Sequence, residues 1–482
     1  MFGWTNNPTD GEFKLPKFAS RVIILSSNLL LQMSFFIIVS SSNEYANHLG
    51  GDSTFSGVVI GIPTVFSGLA LIPMQRWDGG KYKFALHLSC GASIVGHILY
   101  ACAYRAHWLY LILMGRLVSG LAFSMWMYCK RYCSDGRIVG MRQRTTLAGW
   151  LVVGQGLGMS AGPFLGGLLT KIGFANAVFN GYTSPSWIMA GVWAAFWVCV
   201  WIWFEDVPDE DEDETQTSAS TSTSARVSVD AAAPTKGESE AVGNGNVRVV
   251  ERPSPESDTT ADSVDDSMPV VTFGQWGSIV CMCWCAMTCF FILGAWESNI
   301  PVFGATPALS FSPFMAGNFI ALGGITTLPF LLANLFMARR LQDRHILLVG
   351  SSLGLVGLLT FIGLLSTHTI SSNGGSVNSG DSLFKKNYAS FFMCWWLIAL
   401  GFNLASTVTV SLLSKQLPQA WNSRTSLFIQ YSNYAGRVSG AIWGGSGVAV
   451  GMERYVGLQI AIAGIGIALF GGFYRALKTK TG

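Results

Sequence analysis

The sequence predicts an all-α membrane protein with twelve transmembrane helices arranged as two six-helix bundles. Three observations carry this. The chain is too apolar and too poor in charge for a soluble protein. Twelve stretches are long enough to span a bilayer, six on each side of an acidic segment. A glycine ladder in the fifth stretch recurs in the eleventh.

Of the 482 residues, 50% are hydrophobic and 12% charged, about half the charge of an ordinary soluble chain. Residues 205–270 hold 17 of the 27 acidic residues and only 4 of the 30 basic ones, so the overall net charge of +3 hides two segments of opposite sign. This balance argues against a nucleic-acid partner, a secreted disulfide scaffold and a soluble enzyme. The bilayer is the expected partner.

A helix needs about 20 mostly apolar residues to cross the hydrocarbon core. Read with that length, the spans run near 22–42, 54–74, 84–104, 107–129, 146–170 and 185–204, then 277–297, 313–337, 346–366, 389–413, 425–449 and 456–474. The expected organisation is a cytosolic N-terminus (1–21), an N-terminal bundle (22–204), a linker (205–270), a C-terminal bundle (277–474) and a cytosolic tail (475–482). Nothing before Lys14 is apolar enough for a cleaved leader. With both termini in the cytosol, the short cytosolic segments hold nineteen Lys and Arg and the opposite side five. That bias places both termini and the middle segment in the cytosol. The linker opens with Asp209-Glu210-Asp211-Glu212-Asp213-Glu214 and stays rich in Ser, Thr and acids. It carries too little apolar surface to offset ordering entropy and reads as a disordered tether. Its many hydroxyls and Ser254-Pro255 also offer a regulatory kinase a substrate.

The fifth span carries Gly154, Gly158, Gly162 and Gly166, followed by Gly167; the eleventh carries Ser432, Gly436, Gly440 and Gly444, followed by Gly445. The offset is a constant 278. Residues four apart share a helix face, so each ladder is a smooth stripe against which a neighbouring helix can pack closely. We expect these stripes to form the contact about which two halves rock around a central midplane site.

Gly158-x-x-x-Gly162-Pro163-x-x-Gly166-Gly167 resembles the fifth-helix signature of the major facilitator superfamily, and Gly115-Arg116-Leu117-x-x-Gly120 its fourth-helix Arg motif. The superfamily's loop motif between helices two and three is degraded to Arg76-Trp77-Asp78-Gly79-Gly80-Lys81. The resemblance narrows to the membrane part of the SPX–MFS vacuolar phosphate transporters. It is carried by Asn43-Glu44-Tyr45, Ser56-Gly57-Val58-Val59-Ile60-Gly61, Lys130-Arg131-Tyr132-x-Ser134-Asp135, Glu297-Ser298, Asp343-Arg344 and Arg437-Val438. The resemblance implies an anion carrier of a vacuolar or other endomembrane. The SPX domain, which senses inositol polyphosphates in that family, has no room in the roughly 20 residues before the first span.

Charge inside hydrocarbon is expensive and marks function. Arg116 in the fourth span and Arg437 in the eleventh have no acid near them in sequence, and two unpaired guanidiniums suit an oxyanion. The plainer role for Arg116 is to brace the bundle through backbone carbonyls. Lys130 and Arg131 fall at the expected cytosolic mouth, where they draw anions in or merely set topology. The resemblance implies a gating role for Asp135, by a salt bridge to a neighbouring loop. Glu44 and Glu297, read as equivalent positions near the outer ends of spans one and seven, are candidates for proton coupling or else a pair of solvated residues at helix ends. Cys281, Cys285 and Cys289 share a face but read as small apolar packing, so no metal and no cofactor are expected. No Walker-type loop is present, so ATP is not the expected driving force.

The reading is a non-enzymatic transporter of an inorganic anion, phosphate first, working by alternating access. Its rivals are a proton-coupled exporter of drugs or small organic molecules and a nutrient receptor that no longer transports.

Overall fold

The computed structural model describes residues 14–207, 272–307, 309–337, 341–373, 388–417 and 421–478. Among these described residues there are fourteen helices. The first half has α1 (Phe18–Phe36), α2 (Ser42–His48), α3 (Ser53–Trp77), α4 (Lys83–Ala106), α5 (Leu109–Phe123), α6 (Met125–Ser134), α7 (Met141–Ile172) and α8 (Ser184–Trp203). The second has α9 (Phe273–Gly304), α10 (Pro313–Met337), α11 (Asp343–Asn373), α12 (Tyr388–Ser414), α13 (Asn422–Val450) and α14 (Met452–Phe473).

Among the described residues, eleven helices are long and apolar enough to cross a membrane, with α5 and α6 counting as one run. The remaining expected span, 425–449, falls on α13. That helix is long enough at 29 residues, but Gln430, Asn433 and Arg437 and its many serines take the place of apolar side chains. The first expected span, 22–42, is broken. Its helix stops at Phe36 and resumes at Ser42, and Gly166 of α7 packs onto the intervening turn at the Ile37 carbonyl and Ser40. The α5–α6 break falls at Ser124, whose hydroxyl donates to the Leu121 carbonyl at 2.7 Å and so competes with the helix ladder.

Both ladders bring two helices close together, but within a bundle rather than between bundles. α7 packs along α1, and α13 along α9. A Cβ at Gly158 would stand 2.6 Å from the Leu29 carbonyl oxygen, and one at Gly162 2.7 Å from the Phe36 Cβ. Gly436, Gly440 and Gly444 face the carbonyls of Met287, Phe291 and Ala295. The two bundles touch each other elsewhere, where α3 meets α13 and α7 meets α10. There Gly57 and Gly61 lie on Ala441 and Val438, Gly445 on Ser53, Gly167 on Pro313 and Phe314, and Gly317 on the Pro163 carbonyl. The reason is angular. One residue past the ladder the helix has turned about 100°, so Gly167 and Gly445 look at a different neighbour from Gly166 and Gly444.

The two bundles, within residues 1–206 and 271–482, form one compact unit. One end of it is basic. The Gly140 amide donates to the Lys14 carbonyl at 2.8 Å, Lys17 pairs with Glu205, and Asp206 accepts the Tyr82 and Lys83 amides at 3.0 and 2.8 Å, capping α4. Of the 205–270 linker only Glu205, Asp206 and Val207 are described. The rest of the expected tether, with its hydroxyls, lies outside the described residues.

Candidate functional site

Polar residues on α13 recur at 430, 433, 434 and 437, a spacing that places Gln430, Asn433, Tyr434 and Arg437 on one helix face. The same logic lines up Asn28, Gln32 and Phe36 on α1, and Gln155 and Met159 on α7. These faces, with Thr64, Trp126, Lys130, Phe290, Glu297 and Asn403, enclose a cavity of about 80 Å³ between the bundles. A buried water needs about 10–15 Å³ on this measure, so the cavity holds a few waters or one compact solute.

On the cavity wall the Arg437 guanidinium donates to the Glu297 carboxylate, forming an ion pair between α13 and α9. Arg437 also crosses to the other bundle, with its guanidinium carbon 4.8 Å from the centroid of the Phe35 ring and 5.1 Å from that of Phe36. Arg437 is thus not the unpaired guanidinium expected from sequence. Glu297 is not at a solvated helix end either, but 2% exposed in the bundle interior. Lys130, on the same wall, forms no ion pair among the described residues. Among the described residues, two polar atoms of wall residues, the Trp126 indole nitrogen and the Asn433 amide oxygen, are buried with no hydrogen-bond partner.

The cavity is closed differently on its two sides. Towards the basic end, the Ser67 hydroxyl donates to the Tyr434 hydroxyl at 3.0 Å, and the Tyr431 hydroxyl to the Gly68 carbonyl at 3.2 Å. Towards the opposite end the bundles meet backbone to backbone, at Gly57–Ala441 and Gly445–Ser53.

Arg116 is separate from this cavity. It is 1% exposed, donates from Nε to the Val59 carbonyl at 3.2 Å and lies 5.5 and 5.7 Å from the ring centroids of Phe35 and Phe123. Its geometry is that of a brace on a backbone carbonyl, and the Phe35 ring lies close to both its guanidinium and that of Arg437.

At the basic end, Arg131 pairs with Asp78 at 2.8 Å, and the Tyr128 hydroxyl donates to the same carboxylate. Asp78 belongs to the degraded loop motif, which therefore still ties the α3–α4 loop to α6. The expected inter-loop salt bridge of Asp135 is instead made within its own loop, to Arg137 at 2.7 Å. The link to the neighbouring loop runs through the Tyr82 hydroxyl, which donates to Asp135 at 2.8 Å, and through Arg137, which donates to the Gly80 carbonyl at 2.7 Å. Burial raises the Asp135 pKa, but the hydrogen bonds from Arg137 and Tyr82 outweigh it and hold the carboxyl below its usual range. The second half has a counterpart: Asp343, on α11, pairs with Lys415 just beyond α12 at 2.9 Å and accepts the Ser411 hydroxyl at 2.6 Å.

Glu44 is not equivalent to Glu297. It lies on the short helix α2, on the wall of a separate groove of about 710 Å³ at the opposite end, with Lys171, Asn180 and Tyr182. Burial pushes its carboxyl above the usual range.

Sequence reasoning missed the Glu297–Arg437 pairing and the amide-lined wall. A signal was present: Glu297 is the sole charged residue in the 32 residues of α9. A lone carboxylate in so apolar a run calls for a partner.

Two bundles enclosing a polar site at their interface, closed by different contacts at either end, define a membrane carrier. The comparisons then give the family. The Major Facilitator Superfamily profile matches residues 24–441, and the chain belongs to that superfamily. It is an integral multi-pass membrane transporter of a small solute, not an enzyme. An uncharacterized MFS-type transporter of Schizosaccharomyces pombe is 30% identical over 97% of this chain and 84% of its own length. An SPX domain-containing membrane protein of Arabidopsis thaliana is 34% identical over 38% of this chain and 26% of its own length. Among solved structures, a POT family transporter in complex with 5-aminolevulinic acid superposes with a TM-score of 0.65 at 12% identity, over 97% of this chain and 99% of its own. A D-xylose–proton symporter also gives 0.65 at 12% identity, over 94% and 96%. Both carry the same fold.

Proposed function

We propose that this transporter carries a small inorganic anion, phosphate first, across an endomembrane such as that of the vacuole, with both termini in the cytosol. The observation that carries the reading is the Arg437–Glu297 pair on the wall of a small polar cavity that is also lined by Lys130, which forms no ion pair among the described residues. With Glu297 ionised these three side chains sum to one positive charge; with Glu297 protonated they sum to two, and the Arg437 fork is released. A guanidinium fork matches an oxyanion bidentately. Proton uptake by Glu297 would thus couple anion binding to pH. The resemblance of the sequence motifs to the SPX–MFS phosphate transporters favours the same substrate class, and the similarity to an SPX domain-containing membrane protein extends over 38% of this chain. Cavity size and its six amides disfavour a lipophilic drug. In this reading Lys130 draws the anion in, and Arg131 and Asp135 serve as gate residues through the Asp78 and Tyr82 contacts.

The test is uptake of labelled phosphate into proteoliposomes with pH and voltage set independently, wild type beside Arg437→Ala and Arg116→Ala. Saturable uptake lost in correctly folded Arg437→Ala supports the reading. Absence of phosphate, sulfate and chloride flux in wild type at every gradient rejects it and brings the exporter and receptor readings forward.

A further inference from the structure

We propose that the central cavity selects an oxyanion that still carries a proton, a hydrogen phosphate, over a fully deprotonated one such as sulfate. In this scheme Asn433 accepts the substrate's hydroxyl and Trp126 donates to one of its bare oxygens. The inference rests on the anion-carrier reading above and adds a rule of selection to it.

The argument is an inventory of unmet hydrogen bonds. An indole N–H can only donate, and an amide oxygen can only accept. Both atoms belong to residues on the cavity wall, one from each bundle, and among the described residues both are buried with no partner. Groups left in that state weaken a complex about tenfold or more each, unless the ligand meets them. The ligand that meets both must accept and donate, and beside Arg437 and Lys130 it must also be anionic.

Asn433 precedes Arg437 by one helical turn on the same face. An anion held by the Arg437 fork is therefore presented to the Asn433 amide. Hydrogen phosphate has hydroxyl groups to turn towards that oxygen. Sulfate at neutral pH has four bare oxygens and no hydroxyl, so it leaves the Asn433 oxygen unmet and places a like partial charge against it. Sites built to bond a substrate hydroxyl reject the analogue lacking it by up to about 10⁴-fold. Trp126, a pure donor, serves either anion and does not discriminate. Turning the Asn433 amide would present its NH₂ group and admit sulfate; an aspartate at that position, which only accepts, separates the two cases.

The experiment uses the full chain in proteoliposomes at one fixed pH, with labelled phosphate uptake measured against unlabelled sulfate. Wild type is expected to require about a hundredfold more sulfate than phosphate for equal competition. Asn433→Leu should reduce that discrimination about tenfold, Asn433→Asp should keep it, and Trp126→Phe should weaken both anions alike. Equal competition by sulfate in a wild type that carries phosphate overturns the selection rule while leaving the carrier reading intact. Unchanged discrimination in Asn433→Leu does the same. A wild type that moves neither anion removes the carrier reading, and this inference with it.

Discussion

Ser67 and Tyr434 stand 367 positions apart in the chain and share a 3.0 Å hydrogen bond that joins the two bundles. With Tyr431 on the Gly68 carbonyl it closes the basic end of the cavity through two tyrosine side chains. Side chains can swing away on short timescales, whereas the backbone contacts at the other end require whole helices to part. Tyr434→Phe removes the bond, and Gly68→Val places a branched side chain where the Tyr431 and Tyr434 rings already stand 3.2 Å from a Cβ. Both are expected to open the basic end. The check is labelling of a cysteine introduced at Gln155, in a cysteine-free background, by an impermeant thiol reagent. Labelling should rise about tenfold over the parent, and an unchanged rate would rule out this closure.

Glu297→Gln keeps the shape of the pair but removes its charge and its ability to load a proton. Accumulation driven by a pH gradient should fall about tenfold or more, while exchange of internal for external substrate persists because no net proton movement is needed. Loss of both activities to the same degree, in folded protein, would assign Glu297 a structural role only.

Gly166 and Gly440 oppose backbone carbonyls, at Ile37 and Phe291, which cannot rotate away. Gly166→Ala and Gly440→Ala should each cost about 1–3 kcal/mol of stability from overpacking, read as a lower thermal midpoint in detergent. Gly191→Ala is the control, because a Cβ there meets nothing within 4 Å. It should be neutral or slightly stabilising.

The latch at the basic end has a pH signature. The Asp135 pKa is depressed in the folded protein, so its contribution is complete above the unfolded carboxylate value of about 3.9. It is lost as the pH falls through the folded value. Wild-type thermal stability should therefore decline below about pH 4 more steeply than that of Asp135→Asn. Parallel curves for the two proteins would show that this carboxylate adds nothing.

Much of the fold was readable because membrane insertion writes itself into composition. Long apolar runs marked eleven of the spans, and the Gly166 and Gly440 ladders announced close helix pairs. Which helices pair was not readable, since Gly166 and Gly167 differ by one position and face different neighbours. Arg437 stood out as a charge within a span. Its bond to Glu297 did not, because the two are 140 positions apart and nothing local to either encodes the other. Arg116 looked equivalent to Arg437 in sequence, but one binds the Val59 carbonyl and the other pairs with Glu297 on the cavity wall.

The polarity of α13 has a consequence for how the protein is made. One helix supplies a smooth face to α9, an interbundle face to α3 and the Asn433–Arg437 face to the cavity, which leaves few apolar side chains for lipid. An arginine at mid-helix alone opposes translocon-mediated insertion by about 2.5–3.5 kcal/mol. By the time α13 leaves the ribosome, α3 and α9 have already been synthesised, and α9 brings Glu297 with it. Biogenesis of the second half is accordingly expected to be ordered, with the apolar helices forming the template that accepts the polar one. Isolated from its partners behind a glycosylation reporter, α13 should fail to integrate, and it should gain integration when α9 precedes it.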